Sequence, residues 1–334
     1  MYGNHRFSNT LVLGLALVVS APAQQGRGMM GMMGAMKLPD AITSESNPLT
    51  PAKINLGRML FYDARLSRNH DVSCNSCHNL ANYGVDGKPV SSGDKGQLGG
   101  RNSPTVYNAA GHFVQFWDGR APNVEEQAKG PVMNPVEMAM SSEAEVVATL
   151  RAIPGYRNAF HEAFPDSAEP VTFNNMARAI GAFERKLVTP SRWDRFMSGD
   201  QGAITPDEMA GHHQFMQAGC MSCHNGPYIG GQAFQQLGAK KTWPVATDTG
   251  RMGVTGNTSD RLVFKVPSLR NVEKTGPYFH TGKVATLDEA VRLMGEYQLD
   301  RKLDDQQVTQ IVAWLKTLTG EIPADYIRQP ALPQ

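Results

Sequence analysis

The pentapeptide Cys74-Asn75-Ser76-Cys77-His78 recurs as Cys220-Met221-Ser222-Cys223-His224. Cys-x-x-Cys-His is the attachment pattern of c-type haem. Two thiols at this spacing add to the two vinyl groups of one porphyrin, and the next residue sets an imidazole under the iron. The chain has 4 Cys, and the two motifs use all of them. A redox dithiol has no need of the following His, and a zinc site tolerates looser Cys and His spacing. The motifs therefore imply two covalently bound c-type haems, anchored by Cys74, Cys77, Cys220 and Cys223, with His78 and His224 as proximal iron ligands.

Each motif follows a helix-like segment. The first runs from Asn55 to Leu66; the second opens at Pro206, with Thr205 as its N-cap. Further helical periodicity falls at Glu143 to Arg151, Asn174 to Leu187, Asp288 to Met294 and Asp304 to Leu318. No sheet is evident. With 33 Gly and 21 Pro in 334 residues the chain should be loop-rich. The expected fold is mainly α: two cytochrome c-like domains, each with one haem. Pro190 and Ser198-Gly199-Asp200-Gln201-Gly202 interrupt the periodicity, giving domains at 46–195 and 196–334.

Residues 1–23 have the form of an export signal: Arg6, an apolar run from Leu11 to Val19, and Ala21-Pro22-Ala23 as a cleavage site. Residues 24–45, with the Met- and Gly-rich stretch Gly28 to Met36, read as a flexible linker. No later segment is long and apolar enough to span a membrane. A net charge of +1 gives no basic footprint for nucleic acid. Export suits c-type haem, which is attached outside the bacterial cytoplasm, so the expected location is the periplasm.

Several segments resemble the bacterial di-haem cytochrome c peroxidases. They are Leu56-Gly57-Arg58-Met59-Leu60-Phe61, Arg65-Leu66-Ser67, Arg101-Asn102-Ser103-Pro104-Thr105 and Phe116-Trp117-Asp118-Gly119-Arg120. Gln127-Ala128-Lys129-Gly130-Pro131, Glu137-Met138, Leu269-Arg270-Asn271-Val272 and Pro277-Tyr278-Phe279-His280 follow in family order. The resemblance implies an N-terminal haem that binds hydrogen peroxide and a C-terminal haem that passes it electrons. The electrons would come from a small cytochrome c or a blue-copper protein, and the assembly would be a homodimer.

By the same resemblance, Met294 is the second iron ligand of the C-terminal haem, a pairing with His that raises the potential. Periodicity alone would make Met294 part of a core stripe with Leu287, Ala290 and Val291. His280 becomes a residue beside that haem. Glu137 becomes the acid-base group of the peroxide pocket, although by itself it reads as a surface acid of the loop from Pro135 to Met138. Phe116 and Gln127 match other positions of the pocket, and Trp117 the position between the haems. Asn102, Thr275 and Pro277 match calcium ligands, the last two through carbonyl oxygens. The chain departs from the family at Asp94, where many members have a His that closes the resting N-terminal haem. Asp is a poor ligand for low-spin haem, so that iron is expected to be open; His112 and Lys95 are the alternative ligands. The rival functions are a di-haem enzyme that oxidises a protein partner and a non-catalytic electron carrier.

Overall fold

The computed structural model describes residues 1, 3, 38–244 and 247–334. The expected export signal and the Met- and Gly-rich stretch lie outside the described residues. The last part of the expected linker is docked: Leu38 is buried against Val188 and Tyr228, and the Ile42 N–H donates to the Arg185 carbonyl at 2.9 Å.

The chain builds two helical cores. The first is formed by α1 (Pro51–Tyr62), α2 (Val124–Met133), α3 (Glu143–Ala152), α4 (Pro154–Ala163) and α5 (Phe173–Glu184). Thr50, Asn123, Ser142 and Thr172 cap four of these through side-chain oxygens. α1 packs on α5 through Leu56, Leu60 and Phe61 against Ala179, Ile180 and Phe183. Only Gly fits at position 57, because a Cβ there would lie 1.9 Å from the Ala179 carbonyl oxygen.

The second core repeats this plan with α6 (Arg192–Met197), α7 (Pro206–Ala218), α8 (Leu287–Leu293) and α9 (Asp305–Lys316). Thr205 caps α7 as expected, in a reciprocal box with Glu208. α7 crosses α9 at Gly211, where a Cβ would meet the Gln310 carbonyl oxygen at 1.9 Å. Trp193, Phe215, Trp314 and Leu315 fill this core. The C-terminal tail then returns to the first core. Ile327 is buried there, Tyr62 Oη donates to its carbonyl at 2.5 Å, and Tyr326 Oη donates to the Phe183 carbonyl at 2.7 Å.

Helices α2, α4 and α6 were not legible as helices, since Gly, Pro or shortness masks their periodicity. A small ribbon also forms where no sheet was expected: β1 (Phe234–Gln236) pairs antiparallel with β2 (Val263–Lys265). Among the described residues no helix is long and apolar enough to cross a membrane.

Candidate active site

A helical turn over Cys74–Cys77 puts His78 at its C-cap, and a tighter turn over Cys220–Ser222 leads to His224. Burial lowers the pKa of both imidazoles, His224 to about 4. Both are therefore neutral near pH 7, the form that ligates metals. Each Nδ1 is enclosed, and backbone groups lie against each imidazole: those of Gly84 and Pro104 for His78, and of Ile229 and Pro267 for His224. None closes a hydrogen bond of good geometry. A proton held on Nδ1 leaves the Nε2 lone pair for an iron. Burial pushes the Cys74 thiol up to about 12 and Cys220 to about 11, so both rest as neutral thiols. Among the described residues no three His, Cys, Asp or Glu side chains converge as a metal cluster. The donors thus fit two haems rather than zinc.

One constant register relates residues 102–131 to 265–294. Pro104 corresponds to Pro267. Asn108 and Asn271 both have left-handed backbone, with φ 61° and 62°, as do Phe116 and Phe279, with φ 67° and 64°. Bridges Gln115–Ala121 and Tyr278–Val284 correspond, and α2 corresponds to α8. The two copies meet face to face. The Asn102 N–H donates to the His280 carbonyl at 2.8 Å, and its counterpart Lys265 N–H donates to the Trp117 carbonyl at 2.8 Å. Trp117 and His280, also counterparts, pack edge to face with centroids 6.3 Å apart. The register sets Pro131, which has no donor atom, opposite Met294. Met294 itself opens a π-helical turn, Met294–Gln298, at the end of α8, a distortion frequent at functional sites.

Glu137 sits in the turn that closes α2. Asn134 Nδ2 donates to its Oε1 at 2.8 Å. Burial raises its pKa, and the Arg120 charge and the Asn134 bond oppose that rise. Burial chiefly raises the pKa of Cys77 and the Glu137 charge adds to that rise, which locates Glu137 near the first motif. Arg120 lies 3.4 Å over the Phe116 ring and is tied to Asp118. Phe116 packs on α2 at Gly130, one turn beyond Gln127.

Asp94 stands beside Glu137 through the backbone, its N–H donating to the Glu137 carbonyl at 2.7 Å. Its carboxylate accepts from Asn69 Nδ2 at 2.5 Å. Lys95 is exposed. His112 packs on the other half of the molecule, edge to face with Tyr228 and 3.2 Å from Lys265 Nζ. Asn102 Nδ2 donates to the Lys88 and Pro89 carbonyls, which leaves Oδ1 as its free oxygen. Among the described residues no hydrogen bond ends on the carbonyls of Thr275 or Pro277. Sequence reasoning missed Arg120, Arg101 and Asp248. Arg101 joins Asp118 to Asp248 at 2.6 Å each, and Asp248 lies 4.0 Å from His280 Nε2. An ionic chain with such long sequence separations leaves no local pattern.

The family model "Di-haem cytochrome c peroxidase" matches residues 51–202, and the model "Cytochrome c" matches 208–319. The chain is 45% identical over 313 residues to the cytochrome c551 peroxidase of Nitrosomonas europaea, covering 90% of this chain and 92% of that one. It is 43% identical over 335 residues to the cytochrome c551 peroxidase of Pseudomonas aeruginosa, with 98% and 96% covered. Among solved structures, a MauG-like protein associated with microbial copper homeostasis superposes with a TM-score of 0.79 at 31% identity, covering 88% of this chain and 97% of that one.

Proposed function

We propose, for a chain that belongs to the di-haem cytochrome c peroxidase family and is an oxidoreductase acting on hydrogen peroxide, that its two halves divide the reaction between them. The His78 half takes peroxide and the His224 half takes electrons. When bound, the haem irons supply the redox chemistry. The residues of the chain supply ligation, protons and connection.

Glu137 takes a proton from one peroxide oxygen and returns it to the other as the O–O bond breaks. Two electrons and two further protons then complete two waters. A partly buried carboxyl with a raised pKa is suited to hold and release that proton. Phe116 and Gln127 line the approach, and Arg120 limits how far the Glu137 pKa rises. Met294 is the second ligand of the His224 haem. The observation that carries this reading is the asymmetry within one register, in which Pro131 stands where the other half has Met294. It argues for an open N-terminal iron beside a closed C-terminal one. Trp117 and His280, in edge contact, lie on the route between the halves. Asn102 Oδ1 and the carbonyls of Thr275 and Pro277 are the proposed calcium ligands.

Export to the periplasm, a small cytochrome c or blue-copper donor, and a homodimer complete the reading. They rest on the N-terminal sequence pattern and on the resemblance. Met294 disfavours the rival that oxidises a protein partner, which the resemblance associates with Tyr at this position. Pro131 disfavours the electron carrier, which needs both irons six-coordinate.

Electron paramagnetic resonance of the diferric protein, with and without peroxide, tests the proposal. One high-spin ferric haem that binds peroxide without prior reduction is expected, because Asp94 is bonded to Asn69 and offers no strong-field ligand. Glu137→Gln should keep both haem signals and lower turnover about 10²–10⁴-fold. Two low-spin signals with no peroxide binding would overturn the open-iron reading.

A further inference from the structure

We infer that Lys265, held by His112, is the seat for a carboxylate of the haem carried by the His224 half. Lys265 is 7% exposed, and burial lowers its ammonium pKa to about 8. Among the described residues no carboxylate pairs with it. Its side-chain partner among those residues is His112, whose Nδ1 accepts from Nζ at 3.2 Å. That bond puts the imidazole proton on Nε2, which is buried without an acceptor. A buried ammonium and a buried imidazole N–H, both short of acceptors, form a costly arrangement unless an anion joins them.

The position of Lys265 identifies the anion. It ends β2, and its N–H is fixed to the Trp117 carbonyl. Two residues further on, the Pro267 backbone lies against His224. The Lys265 backbone therefore lies two residues from the wall that faces His224, on the side of the junction. A c-type haem is tethered through its vinyl positions and keeps two carboxylates to be compensated. The carboxylates on either side of this junction, Asp118 and Asp248, are both paired with Arg101. His112 is a positioning residue. Gly231, at φ +74°, admits its ring, because a Cβ there would lie 2.4 Å from Cδ2.

The test uses the intact di-haem protein with Lys265→Met, Lys265→Arg and His112→Ala. Resonance Raman spectra of the ferric protein report the propionate-bending bands directly. Lys265→Met should shift one such band, Lys265→Arg should restore it, and His112→Ala should broaden or shift it. A carboxylate left without its cation favours ferric iron. Lys265→Met should therefore change the reduced-to-oxidised equilibrium of one haem at least tenfold toward oxidised, about 59 mV for one electron. If Lys265→Met fails to assemble, Lys265→Gln takes its place. Unchanged propionate bands in the neutral variant would overturn the assignment, even if the potential moved. So would an unmoved potential in both couples.

Discussion

Under the proposed ligation, the Met294 thioether is what distinguishes the two halves. A thioether favours ferrous iron, whereas a second imidazole favours ferric. Met294→His should retain both haems and lose the high-potential couple, and turnover with a high-potential donor should fall. A redox titration in which that couple is unmoved would return Met294 to the core stripe of α8. Glu184 poses a different problem at the same scale. It is buried on α5, and burial, with the nearby Glu125 charge, raises its pKa from 4.5 to about 8. Its folded-state pKa is thus above the unfolded value. Below 4.5 both states hold the proton and nothing is lost. Above it the unfolded chain releases a proton that the folded chain keeps, so stability declines by about 1.4 kcal/mol per pH unit until about pH 8. Glu184→Gln should match wild type in denaturant unfolding at pH 4.5 and exceed it by a few kcal/mol at pH 8. Equal pH slopes in the two proteins would contradict this account.

Among the elements, the helix crossings are the most sharply constrained. α1 on α5 and α7 on α9 each place a Gly against the backbone of the partner helix. The Gly211 contact cannot be relieved by rotating a side chain, because Gln310 presents its carbonyl and Trp314 its Cβ at 3.0 Å. Gly211→Ala should cost about 1–3 kcal/mol through separation of the helices. Guanidinium unfolding followed at the haem Soret band should show the His224 half opening first. A midpoint within experimental error of wild type would mean that the crossing yields without loss.

Across the whole molecule, the pseudo-repeat closes on one hydroxyl. Thr189 Oγ1 accepts from Asn108 Nδ2 at 2.8 Å and from its counterpart Asn271 Nδ2 at 2.9 Å. All three side chains are buried. Thr189→Val keeps the shape and removes the acceptor, leaving two buried amides each short of a partner at about 1–3 kcal/mol. Because one amide belongs to each half, calorimetry should show the transitions of the two halves moving apart as well as down. A shift of one half alone would locate the strain within a single core.

The haem motifs, the helices that precede them and the cap at Thr205 were legible in the sequence, because each depends on neighbours a few positions away. The family segments supplied the proposed site residues by resemblance, while their own local patterns left Met294 as core and Glu137 as a loop acid. Other features depended on the tertiary structure because their partners are far apart in the chain. The tail from Ile322 packs back on the first core. Lys265 meets His112, Arg101 meets Asp248, and Trp117 meets His280, all across the junction. The shared register was present in the sequence, but few of its paired residues are identical. It emerged when the backbone showed the same left-handed turns at Asn108 and Asn271 and at Phe116 and Phe279. Backbone conformation is preserved where side chains have diverged. The contrast between Pro131 and Met294 therefore needed the fold to be recognised.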